Sequence, residues 1–445
     1  MAASSPKKGL DYGKTFLIGF GFFGISVMWK LYNDYVPIFL QAGNPSFESS
    51  TQAAGFGFGA AITGFIMTLD NLAGLFLLPL IGVWSDRVWT RLGRRKPFIV
   101  GLSPIAIAAF ILIPIVVKSV PPELSGQSAS LRQTVALFIT VVGVFLLSMA
   151  GFRTPVISLM PDLTPSHLRS QANGIINLMG GVGGVVITLA GAWLYQIDIA
   201  LPFIVAGILM ALAVLMLVFF VQESRDLTYA PDQREPESGL VALKGVRNVP
   251  VQTRRSLLLL MASIFLWFVG YNAIETFFTS FGVNVLNIRE NQASLLSSIS
   301  YITFILFSVP SGYIAGRIGR RKAITIGLLI FAGLLLVGFF LPSLYVIAGA
   351  LALGGCAWAL VNINSLPMVV DTAESDASIG TFTGFYYIAS QLAAIAGPVL
   401  NGVIIERSGN YGLVLLMPVI FFVLAALTMQ GVTRGEARQT AGTAR

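Results

Sequence analysis

The segment GVWSDRVWTRLGRRK (residues 82–96) returns in shortened form as GYIAGRIGRRK (residues 312–322). Each copy follows a long apolar stretch and ends in a glycine, two arginines and a lysine. A second similar pair, LYNDYVPIFLQAG (31–43) and GYNAIETFFTSFG (270–282), precedes these segments in the same order. Similarity between the two halves of a membrane chain is typical of proteins built from internal repeats. The two basic segments therefore predict a chain of two related halves.

The composition indicates that much of this chain is surrounded by lipid. Of its 445 residues, 55% are hydrophobic and only 11% are charged, whereas a soluble domain carries about 25% charged residues. The apolar runs are long enough to cross a ~30 Å hydrocarbon core as helices, and they lack the alternation of a membrane β-barrel. We predict twelve spans, near residues 14–40, 55–83, 97–117, 133–160, 172–197, 199–222, 256–281, 292–315, 323–342, 344–370, 381–405 and 411–432.

The longest polar stretch between spans divides the chain. We predict an all-α integral membrane protein with twelve transmembrane helices in two pseudo-symmetric six-helix bundles. The predicted parts are an N-terminal bundle, a cytoplasmic linker, a C-terminal bundle and a cytoplasmic tail, at residues 1–222, 223–255, 256–432 and 433–445.

The charges and the rare residue types limit the function classes. With both termini in the cytoplasm, most of the 28 lysines and arginines fall on the cytoplasmic side, so the net charge of +8 reflects topology and not nucleic-acid binding. The single cysteine, Cys356, forms no disulfide framework, and one histidine, His167, leaves little for metal or histidine chemistry. We therefore predict neither an enzyme nor a metal site. Short loops without an outer glycosylation sequon favour a bacterial inner membrane, and we expect a monomer.

Two stretches carry a family resemblance. WSDRVWTRLGRRKPFI (84–99) and PDLTPSHLRSQANG (161–174) resemble the loops of the major facilitator superfamily. They are most similar to the sucrose–proton symporters, the glycoside-pentoside-hexuronide group and their bacterial homologues. The resemblance implies secondary transport of a sugar, with spans one, four, seven and ten lining a central cavity.

The same loops predict a cytoplasmic gate. Carboxylates at the ends of spans can pair with neighbouring arginines in one conformer and separate in the other. The predicted gate residues are Asp86, Arg87, Arg94, Asp162, Arg169 and Asp371. Gly316 occupies the position of Asp86 in the second copy, so there the basic residues alternatively serve only to fix topology.

Five ionisable residues lie inside predicted spans, where each charge costs roughly 2.5–3.5 kcal/mol on an insertion scale. They are the predicted proton-coupling residues: Asp34, Glu275, Asp70, Lys30 and Arg153. Lys30 and Asp34 are four residues apart and alternatively form a structural ion pair. Asp70 alternatively binds Na⁺, and Arg153 alternatively contacts substrate hydroxyls or pairs with a membrane acid. The coupling ion is expected to be H⁺, with Na⁺ as the other option.

Sugar binding requires hydrogen-bonding amides and flat aromatic faces. The predicted substrate-binding residues are Asn33, Tyr32, Tyr271, Asn272, Trp358, Asn362, Asn364, Tyr386 and Gln391. Many membrane aromatics only pack or mark the interface, which is the alternative for each ring in this set.

The leading hypothesis is a proton-coupled symporter of a disaccharide or glycoside that works by alternating access. A phosphate-binding P-loop is absent from the sequence, which argues against an ATP-driven pump. The alternatives are a Na⁺-coupled sugar symporter, an exporter of another small metabolite, and a non-transporting membrane sensor on a transporter fold.

Overall fold

The fold consists of apolar helices joined by short loops. The computed structural model describes residues 10–47, 51–164, 168–223, 251–372 and 379–436. Within these ranges the chain contains no strand, and twelve helical stretches of 18 to 32 residues are long and apolar enough to cross a membrane. The prediction of an all-α membrane protein with twelve spans is confirmed.

Thirteen α-helices occur in the described part of the chain. They are α1 (Tyr12–Gln41), α2 (Ala60–Met67), α3 (Leu69–Arg87), α4 (Lys96–Lys118), α5 (Arg132–Leu163), α6 (Arg169–Ile197), α7 (Leu201–Phe220), α8 (Val251–Asn284), α9 (Glu290–Ile318), α10 (Arg320–Phe340), α11 (Leu344–Val370), α12 (Ile379–Ser408) and α13 (Leu413–Gln430).

The second span differs most from its prediction, because it is built from two helices. It begins at Ala60 and not near residue 55, and it is interrupted at Thr68. The Thr68 hydroxyl donates to the carbonyl oxygen of Phe65 (2.8 Å), and the Thr68 N–H donates to the same carbonyl (3.1 Å). Threonine hydroxyls that bond back to the preceding turn compete with regular helix hydrogen bonds, which accounts for the interruption.

The described residues form two compact units. Unit 1 takes them from Met1–Tyr32, Ala73–Ser119 and Arg132–Pro231, and unit 2 takes them from Asn33–Leu72, Val120–Leu131 and Asp232–Arg445. Helix α1 therefore contributes its first part to unit 1 and its second part, from Asn33, to unit 2. The predicted domain boundaries stay a prediction, and residues 224–250 of the linker and 437–445 of the tail lie outside the described residues.

Unit 1 is held together by the packing of α4 against α5 and α7, and of α6 against α7. Phe110 of α4 lies at its centre, with ring centroids 5.1 Å from Phe145 and 4.8 Å from Phe203. All three rings are fully buried. Aromatic contacts of this kind contribute beyond the burial of their area.

Unit 2 packs α8 against α12 and α13, and packs α11 against α9 and α10. Its core also includes Ile38 of α1 and Phe47. Helix α2 lies so close to α12 that a Cβ at Gly402 would be 2.4 Å from the carbonyl oxygen of Ala60. The segment from residue 33 to residue 72 is therefore an integral part of unit 2.

Candidate functional site

Two predicted proton carriers, Asp34 and Glu275, are held by hydroxyl groups of one helix, α9. Asp34 of α1 is buried, and its carboxylate accepts a hydrogen bond from the Ser294 hydroxyl. Glu275 of α8 accepts a hydrogen bond of 2.6 Å from the Tyr301 hydroxyl. Ser294 and Tyr301 are seven residues apart, which is about two helical turns, so both lie on one face of α9. We call these four residues the carboxylate cluster.

An aromatic ring adjoins this cluster. Tyr271 precedes Glu275 by about one turn of α8, and its ring stacks on that of Trp358 with centroids 4.1 Å apart and planes 5° from parallel. Trp358 is buried in the core of unit 2, where Phe268 contacts it edge-on. Trp358 therefore covers one face of the Tyr271 ring. Tyr271 itself is only partly buried.

The predicted amides make hydrogen bonds within their own helices. Asn272 donates to the carbonyl oxygen of Phe268 (2.7 Å), and Asn364 donates to that of Leu360 (2.9 Å). These bonds use the amide nitrogen and not the side-chain oxygen, which is an acceptor. Asn362 is partly buried.

Two further predicted substrate ligands of unit 2, Tyr386 and Gln391, lie on α12. Asn33 of α1 is partly buried. The Tyr386 hydroxyl is buried and accepts a hydrogen bond of 3.3 Å from Ser365. Gln391 donates from Nε2 to the side-chain oxygen (2.9 Å) and the carbonyl oxygen (3.1 Å) of Asn71. Gln391 therefore connects α12 to the start of α3.

Asp70 lies directly after the interruption of the second span. It is partly buried, and its Oδ1 accepts a hydrogen bond of 2.8 Å from the Asn71 amide. Because Asn71 is also bonded to Gln391, a carboxylate and two amides follow one another here. The interruption at Thr68 brings these oxygen-bearing groups to a helix end within a membrane span.

The remaining predicted coupling and substrate residues belong to unit 1. Lys30 is buried, and Tyr32 is buried against Trp29 and Phe145, with ring centroids 5.5 Å from each. Arg153 of α5 has an exposed side chain. Unit 2 therefore holds most of the predicted coupling and substrate residues.

Gln41 anchors the end of α1 within unit 2. Its Nε2 donates to the Ser280 hydroxyl of α8 (3.0 Å), and its Oε1 accepts from the Tyr411 hydroxyl (2.7 Å). Burial raises the pKa of Tyr411, and the negative charge of Glu406 acts in the same direction. The phenol therefore stays protonated at neutral pH and donates to Gln41.

Two carboxylates of unit 2 bind backbone amides, one between α1 and α2 and one in the first turn of α2. Glu406 of α12 accepts from the Ala61 N–H in the first turn of α2 (2.8 Å), a favourable place for a negative charge. Glu290 of α9 is buried and accepts from the Gln52 N–H (2.8 Å). These contacts hold residues 51–61 against α9 and α12.

The predicted gate region of unit 1 contains a compact ionic cluster. Asp162 pairs with Arg94 (2.7 Å) and with Arg95 (2.9 Å). Glu223 accepts the backbone N–H groups of Arg94 (2.8 Å) and Lys96 (3.0 Å) and also that of Arg95. We call these five residues the first clamp. Arg87 is exposed, and the side chains of Asp86 and Arg169 lie outside the described part of the structure.

Unit 2 contains an ionic cluster that corresponds to the first clamp. Asp371 pairs with Arg320, and Glu436 accepts the backbone N–H groups of Arg320 (2.7 Å) and Arg321 (3.0 Å). The Arg321 side chain donates to the carbonyl oxygen of Val432 (2.9 Å). Asp371, Glu436, Arg320 and Arg321 form the second clamp. Arg320 and Arg321 of the second repeat thus have specific partners.

Several residues of these sites were not predicted. Ser294 and Tyr301 resemble ordinary span residues in the sequence, and only the packing of α9 brings them to the carboxylates. Glu223 and Glu436 carried a usable signal, because each is an acid shortly after the last span of its half.

Similarity to known proteins extends along the whole chain. The Major Facilitator Superfamily model matches residues 14–289 and 284–444. The tetracycline resistance protein, class E, of Escherichia coli is 22% identical over 342 residues, which is 76% of each chain. The sucrose transport protein SUC3 of Arabidopsis thaliana is 30% identical over 144 residues; the match covers 31% of this chain and 24% of that protein.

A solved structure shows the same fold. The nucleoside transporter NupG, in a mutant form, superposes with a TM-score of 0.68 at 17% identity, over 95% of this chain and 100% of that one. With the family match, the fold and the twelve spans, the chain is a transporter and not an enzyme: it belongs to the Major Facilitator Superfamily.

Proposed function

We propose that this chain is a proton-coupled symporter that moves a disaccharide or glycoside by alternating access. The carboxylate cluster carries this proposal, because Asp34 and Glu275 lie within spans, and Tyr271 precedes Glu275 by about one turn of α8. We further propose cytoplasmic termini, on the distribution of basic residues, a bacterial inner membrane, on the short loops without an outer sequon, and a monomer.

Proton coupling is supported by the cost of charge at membrane depth. Burial disfavours a charged carboxylate, whereas a hydroxyl donor or a nearby lysine favours it. Asp34 and Glu275 each have a hydroxyl donor, and Lys30 precedes Asp34 by about one turn. A conformational change that alters these neighbours alters proton affinity. A proton that enters with the substrate also gains about 2.3 kcal/mol per 100 mV of membrane potential.

A sugar substrate is supported by the chemistry beside the cluster. The partly buried Tyr271 ring presents an apolar face for the C–H groups of a pyranose, and Asn272 supplies an amide oxygen one residue away. The sequence resemblance to sucrose–proton symporters and the similarity to a sucrose transport protein point to the same substrate class.

Uptake into proteoliposomes tests the proposal. Labelled sucrose, maltose and simple glucosides are offered under an inward pH gradient, with Na⁺ absent and then present. Wild type is compared with Asp34→Asn and Glu275→Gln, and Asp198→Asn serves as a matched acid-to-amide control in a loop outside the spans. We expect the pH gradient to drive accumulation in wild type and control. At least one cluster variant should lose accumulation and keep exchange.

Two outcomes would overturn the proposal. If both cluster variants accumulate substrate like wild type, Asp34 and Glu275 do not carry the coupled proton. If no sugar moves under either ion, the substrate class is wrong.

A second candidate is export of another small metabolite, which the similarity to the tetracycline resistance protein favours. In that case an opposite pH gradient drives expulsion of an amphipathic drug, and sugars do not compete. Na⁺ coupling is favoured instead if accumulation requires Na⁺ and is lost in Asp70→Asn, because Asp70 and Asn71 place two oxygen-bearing side chains at the interrupted span.

A further inference from the structure

Helix α9 presents a row of hydroxyl groups on one face. Ser294, Ser298 and Tyr301 follow one another at intervals of four and three residues, which places them on one side of the helix. Ser294 and Ser298 are buried. The first and last members of the row are the donors to Asp34 and Glu275, and they are about 10 Å apart along the helix axis.

Helix α9 is fixed beside these carboxylates by close packing on α11. A Cβ at Gly355 would lie 2.1 Å from the Thr303 hydroxyl and 2.3 Å from the carbonyl oxygen of Ser300. Only glycine allows the two helices to approach this closely, and the contact flanks Tyr301. The position of the Tyr301 hydroxyl is therefore set by backbone packing as well as by its hydrogen bond.

Both carboxylates act on the same tyrosine. The Tyr301 hydroxyl interacts electrostatically with Glu275, Tyr271 and Asp34. Tyr35 of α1 interacts electrostatically with Asp34 and with Glu290 of α9, while Lys30 lies one turn earlier on α1 and Cys356 follows Gly355 on α11. A hydroxyl donor favours the charged form of a buried carboxylate, so Ser294 and Tyr301 influence whether Asp34 and Glu275 are charged.

We propose that Tyr301 and Ser294 are positioning residues of proton coupling, which stabilise the charged forms of Glu275 and Asp34 from one rigid helix face. The proposal rests on the proposed proton symport and extends it by assigning the groups that set the proton affinity of the two carriers. Tyr301 keeps its own proton throughout; the transferred proton is bound and released by Glu275, and it leaves to water. Because one helix carries both donors, any shift of α9 changes both proton affinities together.

Infrared difference titration of the purified protein in lipid nanodiscs tests this assignment without a substrate. The band of the protonated carboxyl that disappears in Glu275→Gln belongs to Glu275. Loss of a hydrogen bond to a charged carboxylate should shift its titration midpoint by about one to two pH units. We therefore expect Tyr301→Phe to raise the midpoint of this band by that amount. Site-specific fluorotyrosine at position 301 keeps the shape, makes the phenol a stronger donor, and should lower the midpoint.

Matched controls lie on the same helix. Tyr313→Phe removes an exposed phenol of α9, and Ser308→Ala removes a hydroxyl that bonds only within α9 among the described contacts. Neither should move the Glu275 midpoint. Ser294→Ala should raise the midpoint of the band assigned to Asp34 through Asp34→Asn, and it should leave the Glu275 band in place.

Failure of this inference is distinguishable from failure of the proposed function. If wild type accumulates sugar under a pH gradient but both position-301 variants keep the wild-type midpoint, symport stands and the role of Tyr301 is wrong. If the midpoints shift as expected but no gradient drives uptake, the hydroxyl donors are assigned correctly and the proposed symport is wrong. If Tyr301→Phe does not fold, the fluorotyrosine midpoint decides.

Discussion

The first clamp and the second clamp use the same glycine-arginine-arginine-lysine sequence in different surroundings. In each unit a glutamate beyond the last span of the corresponding half accepts backbone N–H groups at the start of a helix. In the first clamp, Asp162 takes two arginines, and the Arg95 side chain is 1% exposed. In the second clamp, Asp371 pairs with Arg320, and the two side chains are 37% and 20% exposed.

Burial decides what each ion pair contributes. Removal of one partner from a buried pair costs about 3–5 kcal/mol, because a charge is left without compensation. An exposed pair contributes about 0–1 kcal/mol. The repeated motif therefore provides a strong ionic anchor in unit 1 and a weaker one in unit 2, and the second clamp should separate more easily during a conformational change.

The largest difference is expected between Asp162→Asn and Asp371→Asn. The first substitution leaves the buried Arg95 guanidinium without a carboxylate from Asp162 and should lower the free energy of unfolding by about 3–5 kcal/mol. The second should lower it by no more than about 1 kcal/mol. Thermal unfolding of the purified variants in one detergent measures the order.

The double variant checks the independence of the two clamps. Its loss equals the sum of the single losses if the two clamps act independently. If Asp371→Asn costs as much as Asp162→Asn, exposure does not control these ion pairs and the comparison fails.

The next largest loss of stability is expected from alanine at the glycine that precedes the arginines of each clamp. Gly93 and Gly319 have φ angles of +110° and +91°, so alanine is strained at both, by about 1–3 kcal/mol. A Cβ at Gly93 would also lie 2.6 Å from the Glu223 carboxyl carbon, whereas at Gly319 the nearest atom is a Glu436 oxygen at 3.1 Å. We expect Gly93→Ala to lower the unfolding temperature more than Gly319→Ala. Equal losses would mean that backbone strain alone decides and that the Glu223 contact is unimportant.

Substitution of the two clamp glutamates, Glu223 and Glu436, should give a smaller difference in stability. Glu223 accepts three backbone N–H groups and Glu436 accepts two. Loss of a helix cap costs about 0.5–2 kcal/mol, so Glu223→Ala should destabilise slightly more than Glu436→Ala. Hydrogen–deuterium exchange should quicken at residues 94–96 in the first variant and at 320–321 in the second. Glutamine at each position keeps an acceptor and should show the smaller change; exchange that is unaltered in both alanine variants would contradict the caps.

The spans were predictable because their signal is continuous. Twenty apolar residues in a row fix a transmembrane helix whatever its partners are, and α4 and α6 lie close to their predicted limits. The interruption at Thr68 was not predictable, since the same threonine in a regular helix leaves the apolar pattern unchanged. Its cause is a local hydrogen bond to Phe65 that hydropathy does not register.

The site was predictable only in its charged members. A charge at membrane depth is costly, so Asp34 and Glu275 stand out in the sequence. Hydroxyl residues cost little there and are common, so Ser294 and Tyr301 become visible only when α9 is packed beside α8 and the second part of α1. Glu223 is visible in the sequence as an acid after the last span of its half, but its partners are backbone amides, which have no sequence pattern, so the sequence does not show what it binds.

The smallest effect is expected at Asp198, which serves as an exposed reference for both clamps. Asp198 pairs with Lys118 within unit 1, and their side chains are 34% and 47% exposed, close to the exposure of Asp371. The hydrogen bond from Lys118, followed by that from the Ala200 N–H, lowers the pKa of Asp198. A carboxylate whose folded-state pKa is lowered stabilises the fold above its unfolded-state pKa and loses that contribution as the pH falls through the folded-state pKa. Asp198→Asn should therefore lower the unfolding temperature slightly at pH 7, by an amount similar to Asp371→Asn, and the difference from wild type should vanish in acid. A loss at Asp198 as large as that at Asp162, or one that persists in acid, would show that exposure does not rank the ion pairs of this protein.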